Sequence, residues 1–146
     1  MMLWQSIKSR LQVWTTLLFV VVVVGCGYGP EAIPKGREIG TAIAPDGYSR
    51  AFVWYPDLTG LGATVSQPYQ VWIQYLRGDG QRKLIFEAEE TNGVKLTWRT
   101  TRQLEICYGP SHIYKFLSFF EYGERHSQQT YEVEVVLRKM EKLADC

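Results

Sequence analysis

Apolar and polar side chains alternate with a period of two over much of the chain, the pattern of β-strands with one buried face. The alternation, or a short apolar run, covers residues 50–55, 69–75, 83–89, 94–99, 104–108 and 130–138. Turn-forming clusters of Gly, Pro and Asp separate these segments, and none has the pattern of a long amphipathic helix. We therefore predict an all-β domain in which six strands form an antiparallel meander, either a curled sheet or a partly closed barrel.

The sequence predicts the local structure of two further segments. Asn92-Gly93 predicts a tight hairpin between the segments 83–89 and 94–99. Type I′ hairpin turns need positive φ at both central positions, and Asn and Gly adopt it most readily. Residues 113–122 are apolar and fit either a helical face or a strand, and we favour an irregular extended segment.

The N-terminal region has a different pattern. Lys8 and Arg10 precede an uninterrupted apolar run at residues 17–24. This run is much shorter than the ~20 apolar residues that a membrane-spanning helix needs. A positive segment, a short apolar segment and a small residue before the cleavage point are typical of a secretory signal peptide. The alternative is an uncleaved anchor that spans the membrane once.

Val23-Val24-Gly25-Cys26 resembles a bacterial lipobox. The resemblance implies cleavage after Gly25 and a covalent lipid on Cys26, with no other cofactor. Two or three acyl chains hold a protein firmly at a membrane, at ~0.8 kcal/mol per buried CH₂. Gly27 stands where an aspartate tends to retain lipoproteins at the inner membrane, so the resemblance implies an outer-membrane protein facing the periplasm. In a bacterium with a single membrane, the same protein would lie on the outer face of that membrane.

The predicted organisation has four parts: a signal peptide at 1–25, a lipidated flexible tether at 26–38, a β domain at 39–139 and a tail at 140–146. Removing residues 1–25 leaves 14 Lys and Arg against 15 Asp and Glu, a formal charge of −1. This balance gives no electrostatic reason to bind nucleic acid. The many aromatic residues suit a pleated sheet and are explained most simply as core.

Cys107 and Cys146 remain once Cys26 is assigned to the lipid. An even pair of cysteines in an oxidising compartment is typical of a disulfide. Cys107 alternates with Glu105 on the polar side of its strand, a surface within reach of the C-terminal tail. The alternative is two free thiols beside a frayed C-terminus.

The mature domain is similar to small, uncharacterised secreted or lipidated bacterial β domains over residues 42–108. The similarity rests on five short motifs: Pro45-Asp46-Gly47, Gly62-Ala63-Thr64, Val71-Trp72-Ile73, Leu96-Thr97-Trp98 and Leu104-Glu105-Ile106. It implies no activity. The Pro-Asp-Gly turn also resembles that of a blade in TolB-like propellers, but a single unit without a repeat excludes a propeller.

Catalytic and metal-binding patterns are missing from the sequence. His112 and His126 are the only histidines, and neither has a zinc-ligand spacing. Glu87, Glu89 and Glu90 are better explained as solvated charges than as a glycosidase pair. We therefore predict no catalytic residues and no metal ligands.

Two features are candidates for a binding surface. The loop Gly62-Ala63-Thr64 is one, because flexible loops on rigid sheets often carry binding, and a plain strand connection is its alternative. Trp72 is the other, since it lies on the polar side of its strand. Its alternative is burial beneath residues 113–122.

We therefore expect a membrane-anchored envelope lipoprotein that binds another envelope protein or a cell-wall component without catalysis. The alternative is an inhibitor or immunity lipoprotein that acts on a cell-wall hydrolase or a toxin. An enzyme acting on the wall is the least favoured of the three classes.

Overall fold

The computed structural model describes residues 30–58, 67–89, 93–123, 130–141 and 145–146, and these contain nine β-strands and no α-helix. The strands are β1 Gly36–Ile43, β2 Ser49–Pro56, β3 Pro68–Tyr75, β4 Arg82–Glu89, β5 Val94–Thr100, β6 Gln103–Tyr108, β7 Ile113–Phe116, β8 Phe119–Gly123 and β9 Thr130–Lys139. The all-β prediction is confirmed.

The nine strands form two sheets rather than the predicted six-strand meander in one curled sheet or partly closed barrel. Sheet A has the order β1-β2-β3-β4-β7 and is antiparallel throughout. Sheet B has the order β5-β6-β9-β8 and contains one parallel pair, β6 with β9. Because β4 and β5 belong to different sheets, the predicted hairpin at Asn92-Gly93 is wrong.

The core lies between the two sheets. Its buried side chains come from β2, β3 and β4 of sheet A and from β6, β8 and β9 of sheet B. Phe86 and Tyr108 connect the sheets directly, with ring centres 5.4 Å apart. Val133 and Val135 are buried while Glu132 is exposed, as the alternation in β9 predicts.

Residues 113–123 form an extended segment that changes sheets, in agreement with the favoured interpretation of this region. β7 pairs with β4, and β8 pairs with β9. Between them, the N–H of Leu117 donates to the carbonyl of Ile85 at 2.8 Å, and the carbonyl of Ser118 accepts from Val135 at 2.7 Å. The segment therefore connects the two sheets along one side of the sandwich.

Residues 31–35, which we call the N-terminal strap, are fixed to sheet A at both ends. Glu31 accepts the backbone N–H of Leu84 at 3.0 Å and pairs with Lys83 at 2.7 Å, both on β4. At the other end, the carbonyl of Lys35 accepts the N–H of Asp57, just after β2, at 2.7 Å. Since β3 lies between β2 and β4, the strap crosses β3. It crosses on the outer face, because none of its residues packs against the core between the sheets.

The strap corrects the predicted boundary between tether and domain. Residues 31–35 are attached to β4 and β2, and residues 36–38 belong to β1, so most of the expected flexible tether is part of the fold. β1 begins at Gly36, where a Cβ atom would lie 2.6 Å from Nε1 of Trp54. Only glycine lets the chain approach β2 this closely.

Cys107 and Cys146 form a disulfide across 39 residues of sequence, with their Cα atoms 6.1 Å apart. Cys107 pairs with Lys95 on one side and Arg138 on the other, on the outer face of sheet B. It is nevertheless buried. The bond ties the C-terminal end of the chain to β6.

The strap gives the fold an expected pH dependence. Burial raises the pKa of the Glu31 carboxyl, but the hydrogen bonds from Lys83 and the Leu84 N–H, and the charge of Lys115, lower it further than burial raises it. A carboxyl with a lowered pKa in the folded state stabilises that state fully above its unfolded pKa of roughly 4.3 and progressively less as the pH falls through its folded value. We therefore expect hydrogen-exchange protection of the Leu84 amide, corrected for intrinsic rates, to fall in acid.

The matched control is Glu31→Gln, which keeps an oxygen acceptor but does not titrate. Its Leu84 amide should show weaker protection at neutral pH and little change in acid. The same acid dependence in both proteins would show that Glu31 does not hold the strap.

Candidate functional site

Trp72, one of the two candidates for a binding surface, is buried with 3% of its surface exposed. Its indole Nε1 donates to Oε1 of Gln70 at 3.3 Å, and Nε2 of Gln70 donates to Glu87 at 2.8 Å. In the neighbouring strands, Phe52 and Leu84 lie opposite Trp72. The outer face of sheet A therefore carries a second, smaller apolar layer.

Trp72 is therefore not an exposed contact platform, and its burial agrees with the alternative interpretation, but the expected cover by residues 113–122 is wrong. Residues 113–122 extend sheet A as β7 and join sheet B as β8, so they do not lie over this face. The strap crosses this outer face of sheet A between its attachments to β4 and β2.

The predicted binding loop Gly62-Ala63-Thr64 lies outside the described residues, so its role stays a prediction. Asp57 and Gln67, on either side of this loop, line a cavity of about 330 Å³ at one end of sheet A. Arg37 lies on the same cavity, with its guanidinium carbon 5.6 Å from the ring centre of Tyr55.

A second cavity, of about 220 Å³, opens at the opposite end of the sandwich. Here the turns β1–β2, β3–β4 and β5–β6 meet the adjoining ends of β8 and β9. We call it the tyrosine–arginine cavity, because most of its lining residues are of these two types. They are Asp46, Tyr48, Tyr75, Arg77, Thr101, Arg102, Tyr122 and Tyr131.

Stacked tyrosines form the inner wall of this cavity and connect the two sheets. The rings of Tyr75 from β3 and Tyr122 from β8 stack with centres 4.4 Å apart, and Tyr131 from β9 stacks on Tyr122 at 5.6 Å. Tyr75 and Tyr122 are buried, while Tyr131 is half-buried. Such stacking gives the wall a fixed shape that a ligand can meet without reordering it.

Two arginines from turns flank the aromatic wall. The guanidinium carbon of Arg77 lies 3.5 Å from the ring centre of Tyr48, and that of Arg102 lies 5.8 Å from the ring centre of Tyr131. Cations over aromatic rings at these distances attract the ring faces. The carboxylate of Asp46 accepts the N–H of Tyr48 at 2.9 Å and so stabilises its own turn.

Sequence reasoning did not identify this site, because its residues come from separate turns and strands. Its signal in the sequence is weak: Tyr48, Arg77 and Arg102 each lie in or beside a predicted turn. Only the strand order brings these turns to the same end of the molecule. The tyrosines in the strands had been explained as core, which Tyr75 and Tyr122 also are.

The remaining candidates for chemistry are dispersed. The ring of His112 lies 5.3 Å from that of Tyr114, whose hydroxyl donates to Glu89 at 3.0 Å. Burial and this hydrogen bond raise the pKa of Tyr114. His126 and Glu90 lie outside the described residues. Among the residues that the structure does describe, no three His, Cys, Asp or Glu side chains are grouped closely enough to hold a metal ion.

One carboxylate on the outer face of sheet B is strongly paired. Arg99 donates to both oxygens of Glu105, at 3.2 and 2.7 Å, and Arg138 lies 3.8 Å from the same group. The hydrogen bonds from Arg99 lower the pKa of Glu105. Glu105 points outward because its neighbours in β6, Leu104 and Ile106, face the core, and none of the three residues of this cluster lines either cavity.

No protein-family model, curated protein or solved structure matches the chain. Within the described ranges, no helix is long and apolar enough to cross a membrane. Function is therefore inferred from the residues and geometry of the site.

Proposed function

We propose that this protein is a cell-envelope lipoprotein, anchored through Cys26 and facing the periplasm from the outer membrane, that binds another protein without catalysis. The lipobox-like residues 23–26 support the proposed lipid anchor and envelope location. One observation carries the binding role: four tyrosines and two arginines converge on a single cavity at one end of the sandwich.

The size of the tyrosine–arginine cavity favours a macromolecular partner. Its volume of about 220 Å³ lies below the roughly 300–1,000 Å³ of pockets that enclose a small molecule. A cavity of this size takes one side chain of a larger partner. Tyrosine and arginine are also enriched among the residues that dominate binding energy in protein–protein interfaces.

The surroundings of the cavity also suit a protein interface. Ile43 and Leu76, with 61% and 44% of their surfaces exposed, lie at the same end of sheet A. The N–H of Leu76 donates to the carbonyl of Tyr48 at 2.8 Å, which places this leucine beside the cavity wall. Apolar contacts around a central cavity exclude water from the anchoring groups when a partner binds.

Charge indicates the chemistry of the partner. Arg77 and Arg102 flank the cavity, and the carboxylate of Asp46 is already engaged by its own turn. A carboxylate from the partner would gain charge-assisted hydrogen bonds from either guanidinium. We therefore propose a partner that inserts an acidic side chain. A cell-wall hydrolase or a toxin is one such partner, which makes inhibition a special case of this proposal.

The test compares crosslinked partners recovered from membranes of cells that make the wild-type protein or the double variant Arg77→Gln, Arg102→Gln. An anchoring arginine contributes about 1–2 kcal/mol to an interface, so losing both removes about 2–4 kcal/mol and should weaken binding by roughly 30–700-fold. We expect a protein that the wild type captures to disappear from the double variant. Quantitative mass spectrometry of the crosslinked material measures this loss.

The matched control is Lys95→Gln, which removes an exposed cation on β5 and leaves the cavity unchanged. It should capture the same partner as the wild type. Equal recovery by the double variant, or capture of cell-wall fragments alone, would contradict a protein partner at this cavity. The Cys26→Ser chain should leave the membrane fraction, and its retention there would contradict the lipid anchor.

A further inference from the structure

Glu31, at the N-terminal end of the strap, lies beside the residues that connect β7 to β8. Glu31 accepts the N–H of Leu84, on the edge of β4 that faces away from β3. The adjacent group on that strand, the carbonyl of Ile85, accepts the N–H of Leu117. Glu31 therefore lies next to the point where the chain passes from sheet A to sheet B.

The distance from this point to the lipid is limited by the length of the chain. Cys26 and Glu31 are separated by five peptide units. A fully extended chain spans at most about 3.3–3.6 Å per residue, so the two Cα atoms lie within roughly 18 Å of each other. A lipid on Cys26 therefore holds the β4 edge close to the bilayer, far closer than a free tether of residues 26–38 would.

The same side of the molecule carries exposed aromatic rings. Tyr114, Phe116 and Phe119 have 51%, 38% and 53% of their surfaces exposed. They lie on β7 and β8, the last strands of sheets A and B on this side. We call these three residues the aromatic edge.

We propose, on the basis of the lipid anchor proposed above, that the aromatic edge rests on the same bilayer that holds Cys26. Aromatic side chains are favoured at the boundary between headgroups and acyl chains. Among the described strands, none lies beyond β7 or β8 in its sheet, and backbone polar groups on such edges would lack partners in hydrocarbon. The contact is therefore shallow, at the level of the headgroups.

The charges near the aromatic edge are nearly balanced. Lys83 pairs with Glu31 at 2.7 Å, and Lys115 lies close enough to Glu31 to lower its pKa. Glu89 accepts the hydroxyl of Tyr114, and Glu121 is exposed on β8. The described residues around the aromatic edge therefore carry no excess of positive charge that would require anionic lipid, and vesicles of neutral phosphatidylcholine are the appropriate probe.

The experiment places a fluorescent label at Ser118→Cys in the full-length lipidated protein bound to phosphatidylcholine vesicles. Ser118 is exposed between β7 and β8. We expect a nitroxide on the lipid headgroup to remove most of the fluorescence of this label. A nitroxide near the end of the acyl chain should quench it less, because the contact is shallow.

The matched control carries the label at Lys95→Cys, an exposed position on β5 at the opposite side of the sandwich. This label should keep its fluorescence in the same vesicles. Replacing both Phe116 and Phe119 by serine should reduce quenching at position 118 while the protein still floats with the vesicles.

The outcomes separate this inference from the lipid anchor. Failure of the labelled wild-type chain to float with vesicles would refute the anchor. Flotation with equal quenching at positions 118 and 95, or with none at 118, would overturn the orientation alone. Protection of the label by a second copy of the chain, detected as concentration-dependent emission in detergent, would assign the aromatic edge to a dimer and also overturn it.

Discussion

Replacing Phe86 by alanine is expected to lower the free energy of unfolding by about 3–5 kcal/mol. Phe86 is fully buried, and its ring packs against Tyr108 of the opposite sheet. The substitution removes this contact and leaves a cavity that two hydrogen-bonded sheets can close only in part. Equilibrium unfolding in urea, followed by intrinsic tryptophan fluorescence, measures the change.

The control is Phe119→Ala, the same chemical change at a position with 53% of its surface exposed. In protein without a membrane, it should change the free energy of unfolding by about 0.5 kcal/mol or less. Similar costs at the two positions would contradict the placement of Phe86 between the sheets.

Strands with one buried face were predictable from the sequence. In β9 the buried positions Val133 and Val135 alternate with exposed ones, and in β6 the alternation holds from Gln103 to Ile106 and ends at the buried Cys107. Turns with a backbone requirement were predictable too. Gly47 and Gly78 have φ of 72° and 66°, the left-handed region that glycine adopts without strain.

The assignment of strands to sheets was not predictable, because local patterns do not specify long-range pairing. Asn92-Gly93 suggested a hairpin, yet β4 pairs with β7 and β5 pairs with β6. Tertiary pairing overrides a local turn signal when the flanking strands bury more surface elsewhere. The hydrophobic pattern did not predict β1, because most of its side chains are exposed and it pairs with β2 through the backbone.

The segment that crosses the outer face of sheet A was also hidden from the sequence. The strap that crosses the outer face comes from a segment with the composition of a linker, and it is held mainly by hydrogen bonds and an ion pair of Glu31. The tyrosine–arginine cavity was hidden for a related reason, because its residues meet only after both sheets have formed.

Removing the disulfide by Cys146→Ser is expected to lower the free energy of unfolding by about 2–5 kcal/mol. The bond links residues 39 apart, and the chain-entropy account of such a loop gives about 4 kcal/mol. The loop contains β7, β8 and β9, so the bond restricts the unfolded chain over the whole C-terminal part of the domain. Cys146 is the better residue to replace, because Cys107 is buried and its substitution would also disturb packing.

Unfolding in urea with and without a reducing agent separates the effect of the bond from that of the side chain. Reduction should destabilise the wild-type protein to the level of Cys146→Ser and leave the variant unchanged. Identical unfolding of the wild-type protein under both conditions would mean that the bond adds no stability. The aromatic edge lies within the same loop, so the reduced protein should also expose β7 and β8 to faster hydrogen exchange than β2 and β3.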